Sequence, residues 1–108
     1  MNKYLLLVLC SFLLTQGYIT STKVDDDGNL KSIKYFKKTK DGIEIVKKES
    51  YYDSGKKSSI GKYRNGIVHG IWTFWYENGQ IKKIGELSAV PRLKDLTQEV
   101  GNWVYYYE

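Results

Sequence analysis

The stretch that decides the fold begins with YYDSG at residues 51–55 and ends with WYENG at residues 75–79. Each phrase has two aromatic residues, an acidic residue, a small polar residue and a glycine, and the two lie about 24 residues apart. A period of this length is typical of repeat proteins, in which each unit is one supersecondary element. The sequence therefore predicts a small repeat protein.

Other segments align with this unit. When Gly28, Gly55 and Gly79 are superposed, an isoleucine follows each of them by five residues. The aromatic segment also recurs, because GIWTFWYE at residues 70–77 matches GNWVYYYE at residues 101–108. We expect each unit to contain a turn, a strand, a second turn and an aromatic strand. The chain then holds about three units, of which the first is divergent and the last is interrupted and incomplete.

The best copy of the unit has the chemistry of a β-hairpin. The dipeptides Asn65-Gly66 and Asn78-Gly79 tolerate positive φ, which predicts tight type I′ turns. Side chains alternate between the two faces of a strand, so alternate aromatic residues share one face and are expected to stack across neighbouring hairpins. The residues assigned to the repeat structure are Gly55, Gly66, Gly70, Trp72, Phe74, Tyr76 and Gly79.

An aromatic-aromatic-Glu-Asn-Gly phrase preceded by Asn-Gly-x-x-x-Gly-x-Trp resembles the MORN-repeat variant family of bacteria. The resemblance covers residues 51–85 well, residues 24–36 loosely and residues 101–108 in part. It implies an all-β fold, an antiparallel meander of β-hairpins that forms an elongated twisted sheet. Bacterial members often carry an antitoxin label, which implies neutralisation of a cognate toxin as one alternative function. The first copy departs from the family pattern because it lacks the tryptophan.

Residues 1–17 are predicted to be a secretory signal peptide, which leaves residues 18–108 as the repeat domain. Lys3 precedes an apolar run at residues 4–14, and small residues at Thr15 and Gly17 suit a cleavage site. The run is shorter than the roughly 20 residues of a membrane-spanning helix. We therefore expect a secreted, periplasmic or envelope-associated protein, with an uncleaved anchor or a buried N-terminal strand as the alternative. Leu9 before Cys10 is too bulky for a lipoprotein signal, which argues against a lipid anchor there.

The net charge of +5 comes with many lysines between residues 31 and 57. A basic surface attracts phosphate backbones and anionic lipids. Acidic residues are interspersed, however, and lysine on an exposed strand discourages edge-to-edge pairing. Nucleic acid is therefore not an expected partner, and a weak contact with anionic membrane stays an alternative.

The sequence shows none of the patterns that indicate an enzyme. His69 is the only histidine, the glycines are assigned to turns, and no set of residues has the spacing of a metal site or a catalytic triad. We expect no cofactor, no metal and no catalysis. The prediction is a protein-binding or scaffold module.

An insertion interrupts the last unit. Gly79 to Trp103 spans 24 residues, whereas Gly55 to Trp72 spans 17, so the insertion adds about seven residues. Apolar residues at i, i+3 and i+7 after Pro91 predict either a short helix or a loop near residues 89–99. Loops on a regular scaffold often carry function. The candidate partner-binding residues in the insertion are Arg92, Leu93 and Leu96.

The last aromatic strand is the second candidate site. No repeat follows residues 103–107 in the sequence, so their strand is expected to lie at the edge of the sheet. An exposed aromatic edge can pair with a strand of a partner protein or of a second copy of the chain. The candidate binding residues here are Trp103, Tyr105, Tyr106 and Tyr107.

Overall fold

The computed structural model describes residues 4–7, 17–90 and 93–108, with side chains described for residues 17–90 and 97–108. The described strands form one open antiparallel sheet in which each strand pairs with the next in the chain. They are β1 (Tyr4–Leu7), β2 (Tyr18–Asp25), β3 (Leu30–Thr39), β4 (Gly42–Tyr51), β5 (Lys57–Arg64), β6 (Ile67–Trp75), β7 (Ile81–Val90) and β8 (Leu93–Tyr105). The described part of the chain is therefore all-β and contains no helix, as a meander of hairpins requires.

The short β1 lies within the predicted signal segment. Tyr4–Leu7 pairs with β2, with Leu6 opposite Lys23. Cys10 and the residues just before the predicted cleavage position lie outside the described residues. Cleavage of this segment stays a prediction.

The turns at Asn65-Gly66 and at Asn78-Gly79 are of two different kinds. Asn65 and Gly66 both have positive φ, at 53° and 75°, which confirms the type I′ turn between β5 and β6. The prediction of the same turn at Asn78-Gly79 is wrong, because only Gly79 has positive φ there. Gly79 donates its N–H to the carbonyl of Tyr76 at 3.0 Å, and Tyr76 donates to Gln80 at 2.8 Å. This is a longer turn that leads into a β-bulge, and the same hydrogen bonds recur around Gly28 and Gly55.

The bulges also recur with the repeat. In the β5–β6 hairpin, Ile60 lies opposite Thr73 and Lys62 opposite His69, so β6 has extra residues between these pairs. In the β7–β8 hairpin, Ile84 lies opposite Val104 and Glu86 opposite Val100. The bulged strand has a glycine of positive φ at the matching position, Gly70 or Gly101. A left-handed residue at this position favours glycine, which has no Cβ to clash with the backbone.

The insertion is β-structure, so the prediction of a helix or a loop near residues 89–99 is wrong for the residues that the structure describes. Ala89 lies opposite Thr97, and Val90 lies opposite Leu93. Strand β7 thus has ten residues against eight in β5, and β8 has thirteen against nine in β6. The backbone of β7 beyond Leu87 supplies hydrogen-bonding partners for the inserted residues, and pairing along that edge outweighs the helical spacing of three apolar side chains.

The sheet has a single layer, so its side chains are buried by packing against the side chains of neighbouring strands. We call one set the aromatic row, since its successive rings lie 5.7–6.3 Å apart between centroids. Its members are Tyr63, Trp72, Phe74, Trp103 and Tyr105. Trp72 is 6% exposed, and Leu87 is also buried. The expected stacking across hairpins is confirmed for this row.

The outline of the molecule differs from the elongated shape that the family resemblance implies. Its principal extents are 37 × 36 × 33 Å. Ten residues of strand span roughly 33 Å, and eight strands side by side span about the same distance. Length and width are therefore similar at this number of repeats, and the twist of the sheet contributes to its depth.

Candidate partner-binding edge

The outer edge of β8 is the candidate functional site. One edge of β8 pairs with β7, and no other strand that the structure describes pairs with the opposite edge. Val104 is 48% exposed, Tyr105 59%, Tyr106 47% and Tyr107 99%. The edge therefore presents backbone hydrogen-bonding groups together with aromatic surface.

The aromatic end of this edge has none of the side chains that usually protect an edge strand, whereas Lys94, Asp95 and Glu99 lie earlier in β8. Residues 100–107 contain no lysine, no proline and no charged residue. Natural edge strands commonly carry such residues to prevent pairing with other chains. Their absence favours an edge that accepts another strand.

Trp103 itself is used within the chain. Its indole N–H donates to the carbonyl of Glu86 at 3.0 Å, and its ring covers Gly85. The ring thus leans toward β7 and away from the outer edge. Of the four aromatic residues predicted to bind a partner here, Trp103 and Tyr105 belong to the aromatic row, and Tyr105, Tyr106 and Tyr107 carry the exposed surface.

Tyr105 is held in place by an ionic group next to it. Its hydroxyl donates to Glu99, and Lys83 Nζ lies 2.7 Å from the other carboxylate oxygen of Glu99. The hydrogen bonds from Lys83 and Tyr105 hold the pKa of Glu99 below its ordinary value. Lys83 also lies over the rings of Phe74 and Trp103, at 5.1 and 5.5 Å from their centroids. The exposed ring of Tyr105 is therefore oriented before any partner binds.

Tyr106 and Tyr107 line a shallow groove of about 370 Å³ together with Gln80 and Ile81. Tyr106 donates its backbone N–H to the carbonyl of Lys82 at 2.9 Å. Its own carbonyl accepts a hydrogen bond from the hydroxyl of Tyr76 at 2.8 Å. The groove thus lies at the end of the sheet where β8 ends and β7 begins.

Part of the site predicted in the insertion lies on the same strand as Trp103 and Tyr105 of the second site. Leu93 and Leu96 belong to β8, as does Trp103. Seven residues separate Leu96 from Trp103, which corresponds to about 23 Å along a strand. Arg92 and the side chains of Leu93 and Leu96 lie outside what the structure describes, so a binding role for them stays a prediction.

A buried carboxylate on β4 is a second polar cluster. Glu49 is 6% exposed and accepts hydrogen bonds from the hydroxyls of Tyr35 at 2.6 Å and Tyr51 at 3.3 Å. Lys57 Nζ lies 2.8 Å from its second oxygen. Burial alone raises the pKa of Glu49, but the hydrogen bonds from Lys57 and Tyr35, with the nearby positive charges, hold it below its ordinary value. Both oxygens have partners within the chain, so this cluster stabilises the fold.

The described residues contain no group of three or more histidine, cysteine, aspartate or glutamate side chains that could hold a metal ion. Nor do they include a helix long and apolar enough to cross a membrane.

Residues 68–87 match the family model described as the MORN repeat variant. The matched segment runs through β6 and the turn at Gly79 and includes most of β7. No match was found among curated proteins or solved structures.

Proposed function

We propose that this chain is a protein-binding module that captures an extended segment of a partner protein as an additional antiparallel strand on the outer edge of β8. The main support for this proposal is that β8 is equivalent to β6. Residues 101–108 repeat residues 70–77, and the two strands have the same register against the strand that precedes each of them. In β6, the edge that corresponds to the outer edge of β8 is occupied by β7.

The strand that pairs with β6 supports a prediction of the kind of strand that suits this edge. On β6, Thr73 lies opposite Ile84 and Phe74 opposite Lys83. By equivalence, a partner residue opposite Val104 is β-branched and a residue opposite Tyr105 is a lysine or arginine. A cation there would lie near an aromatic ring, as Lys83 does over Phe74, and cation–π contacts of this kind contribute about 0.5–1 kcal/mol at exposed sites.

The match to a repeat family supports a binding role over a catalytic one. The MORN repeat is a repeat-type module, and it suggests binding. The predicted signal peptide supports a partner in the cell envelope. Neutralisation of a toxin is one form of such binding.

A peptide of residues 80–90, the sequence of β7, provides a direct test. We expect the labelled peptide to bind the full chain saturably in a fluorescence anisotropy titration. The double variant Tyr105→Lys/Tyr106→Lys should lose this binding, since lysine on an edge strand opposes pairing. The matched control is Ile71→Lys, because Ile71 is 58% exposed but lies on β6, both of whose edges are paired. This control should bind the peptide as the wild type does.

Four results would overturn the proposal. The peptide could fail to bind, or it could bind the double lysine variant equally well. A wild-type chain that forms a dimer in solution, and becomes monomeric in the double lysine variant, would identify a second copy as the occupant. Salt-sensitive binding to anionic vesicles with no peptide binding would instead support the membrane alternative.

A further inference from the structure

Two tyrosines at equivalent positions of the repeat make the same long-range hydrogen bond. Tyr52, just after β4, donates its hydroxyl to the carbonyl of Trp75 at the end of β6, at 2.6 Å. Tyr76, just after β6, donates to the carbonyl of Tyr106 after β8, at 2.8 Å. Each tyrosine therefore bonds to the second strand along the sheet and reaches past the strand between them.

This geometry follows from the turn that each tyrosine begins. The backbone N–H of Tyr52 donates to Lys56, and that of Tyr76 donates to Gln80, so each residue is fixed at the base of its turn. The distance between alternate strands of a sheet is about 9–10 Å. Tyrosine is a side chain long enough to cover most of that distance, and it ends in a hydroxyl donor. Lys82 on the intervening strand contacts the Tyr76 ring, with its Nζ 5.7 Å from the centroid.

Tyr107 is the third member of this series. It occupies the position in YYYE at residues 105–108 that Tyr76 occupies in FWYE at residues 74–77. It is 99% exposed, and its hydroxyl bonds to no acceptor among the described residues. By equivalence, its acceptor would be a carbonyl on the second strand beyond β8.

We infer that the partner presents a β-hairpin of the same repeat type, and that Tyr107 binds its second strand. The first strand of the hairpin pairs with the outer edge of β8, and the last carbonyl of the second strand accepts the Tyr107 hydroxyl. This inference rests on the proposed function, and it adds that the partner contributes two strands. The arrangement is the one that β5 and β6 adopt on β4, and that β7 and β8 adopt on β6.

Two probes separate a hairpin partner from a single strand. The hairpin probe has the sequence of residues 56–76, which contains β5, the Asn65-Gly66 turn, β6 and the Trp75 carbonyl that Tyr52 uses. A disulfide between cysteines added at its ends keeps it folded, because an isolated hairpin is marginally stable in water. The strand probe has the sequence of residues 56–64 alone.

We expect the full chain to bind both probes and to bind the hairpin more tightly. Tyr107→Phe should weaken hairpin binding by roughly two- to tenfold, the usual effect of one hydrogen bond, and should leave strand binding unchanged. The matched control Tyr63→Phe removes a tyrosine hydroxyl on β5, away from the outer edge of β8, and should change neither affinity.

Two results would overturn this inference. If both probes bind and Tyr107→Phe binds the hairpin as tightly as the wild type, then Tyr107 does not bind the second strand of the partner. Strand capture at β8 would still stand. If neither probe nor the peptide of residues 80–90 binds, both proposals fail.

Discussion

Gly61 lies directly against the indole ring of Trp72, so that a Cβ atom at position 61 would overlap three ring atoms at less than 3.0 Å. Gly85 has the same relationship to Trp103. Neither glycine has positive φ, so neither is required by the backbone conformation. Each provides the space in which a tryptophan from the next strand lies flat across the sheet.

Gly61→Ala should therefore destabilise the protein by about 1–3 kcal/mol, the usual cost of overpacking a well-filled site. Urea denaturation followed by tryptophan fluorescence measures this cost. In a Trp72→Phe background the smaller ring leaves more room, and the same alanine should cost clearly less. Equal costs in the two backgrounds would show that the indole does not need the glycine.

The turn glycines should respond in a different way. Gly55 and Gly79 have φ of 91° and 92°, and a Cβ at either position would meet no atom within 4 Å. Alanine there should cost about 1–2 kcal/mol through the left-handed backbone alone. Gly79→Asn should cost less than Gly79→Ala, because asparagine tolerates this conformation, whereas Gly61→Asn should be no better than Gly61→Ala. Thermal unfolding of the four variants measures the difference, and the opposite ranking at Gly79 would contradict the backbone explanation.

The repeat period and the alternation of aromatic residues were sufficient to predict the meander, its hairpins and the stacked rings. The assignment of all glycines to turns is wrong for Gly61 and Gly85, which lie in strands β5 and β7. Gly61 and Gly85 precede Trp72 and Trp103 at the same position of the repeat, and this relation was a signal that could have been found. The hydrogen bonds of the Tyr52 and Tyr76 hydroxyls could not be predicted in this way, because their acceptors are backbone carbonyls, which every residue has. The insertion forms a strand because it pairs with the edge of β7. This pairing depends on the folded sheet and not on the local sequence.

Acid should destabilise the protein through Glu49. Its pKa in the folded state lies below its ordinary value, so the ionised carboxylate contributes stability that is fully present above the pKa of the unfolded chain. That contribution is lost as the pH falls through the folded-state pKa. Glu49→Gln should cost about 2 kcal/mol at pH 7, the usual value for a hydrogen bond to a charged group, and should unfold with less dependence on pH below about 5.

Urea denaturation at several pH values between 3 and 7 checks this prediction, whose range is set by the ordinary glutamate pKa of about 4.3. The control is Glu77→Gln, since Glu77 is exposed in a turn. If Glu49→Gln has the same pH dependence of stability as the wild type, another group controls the acid response.

The tyrosine hydroxyls that bond to distant carbonyls should contribute measurably to stability. Tyr52→Phe should cost about 1 kcal/mol, and Tyr76→Phe should cost less because its bond is exposed to water. Tyr107→Phe should cost nothing in the free protein, since its hydroxyl has no acceptor among the described residues. Chemical denaturation of the three variants measures these costs. A loss of stability in Tyr107→Phe would mean that its hydroxyl already has a partner within the chain.

The divergent first repeat offers a test of the whole packing scheme. Ser50 lies opposite Ser59 as Phe74 lies opposite Lys83, so Lys48 occupies the position that corresponds to Trp72. Lys34, opposite Lys48 on β3, corresponds to Gly61. The first copy thus lacks both the tryptophan and the glycine that makes space for it.

Lys48→Trp alone should therefore be unfavourable, because position 34 carries a side chain where the equivalent Gly61 has none. Lys34→Gly alone should cost roughly 0.5–1 kcal/mol through the flexibility of glycine in a strand. The double variant should be more stable than the sum of the single effects predicts, with a coupling energy of about 1 kcal/mol or more. A double-mutant cycle by urea denaturation measures this coupling. A coupling near zero would show that a tryptophan and a cross-strand glycine are not sufficient to build the unit, and that a bulge glycine such as Gly70, whose counterpart here is Val46, is also required.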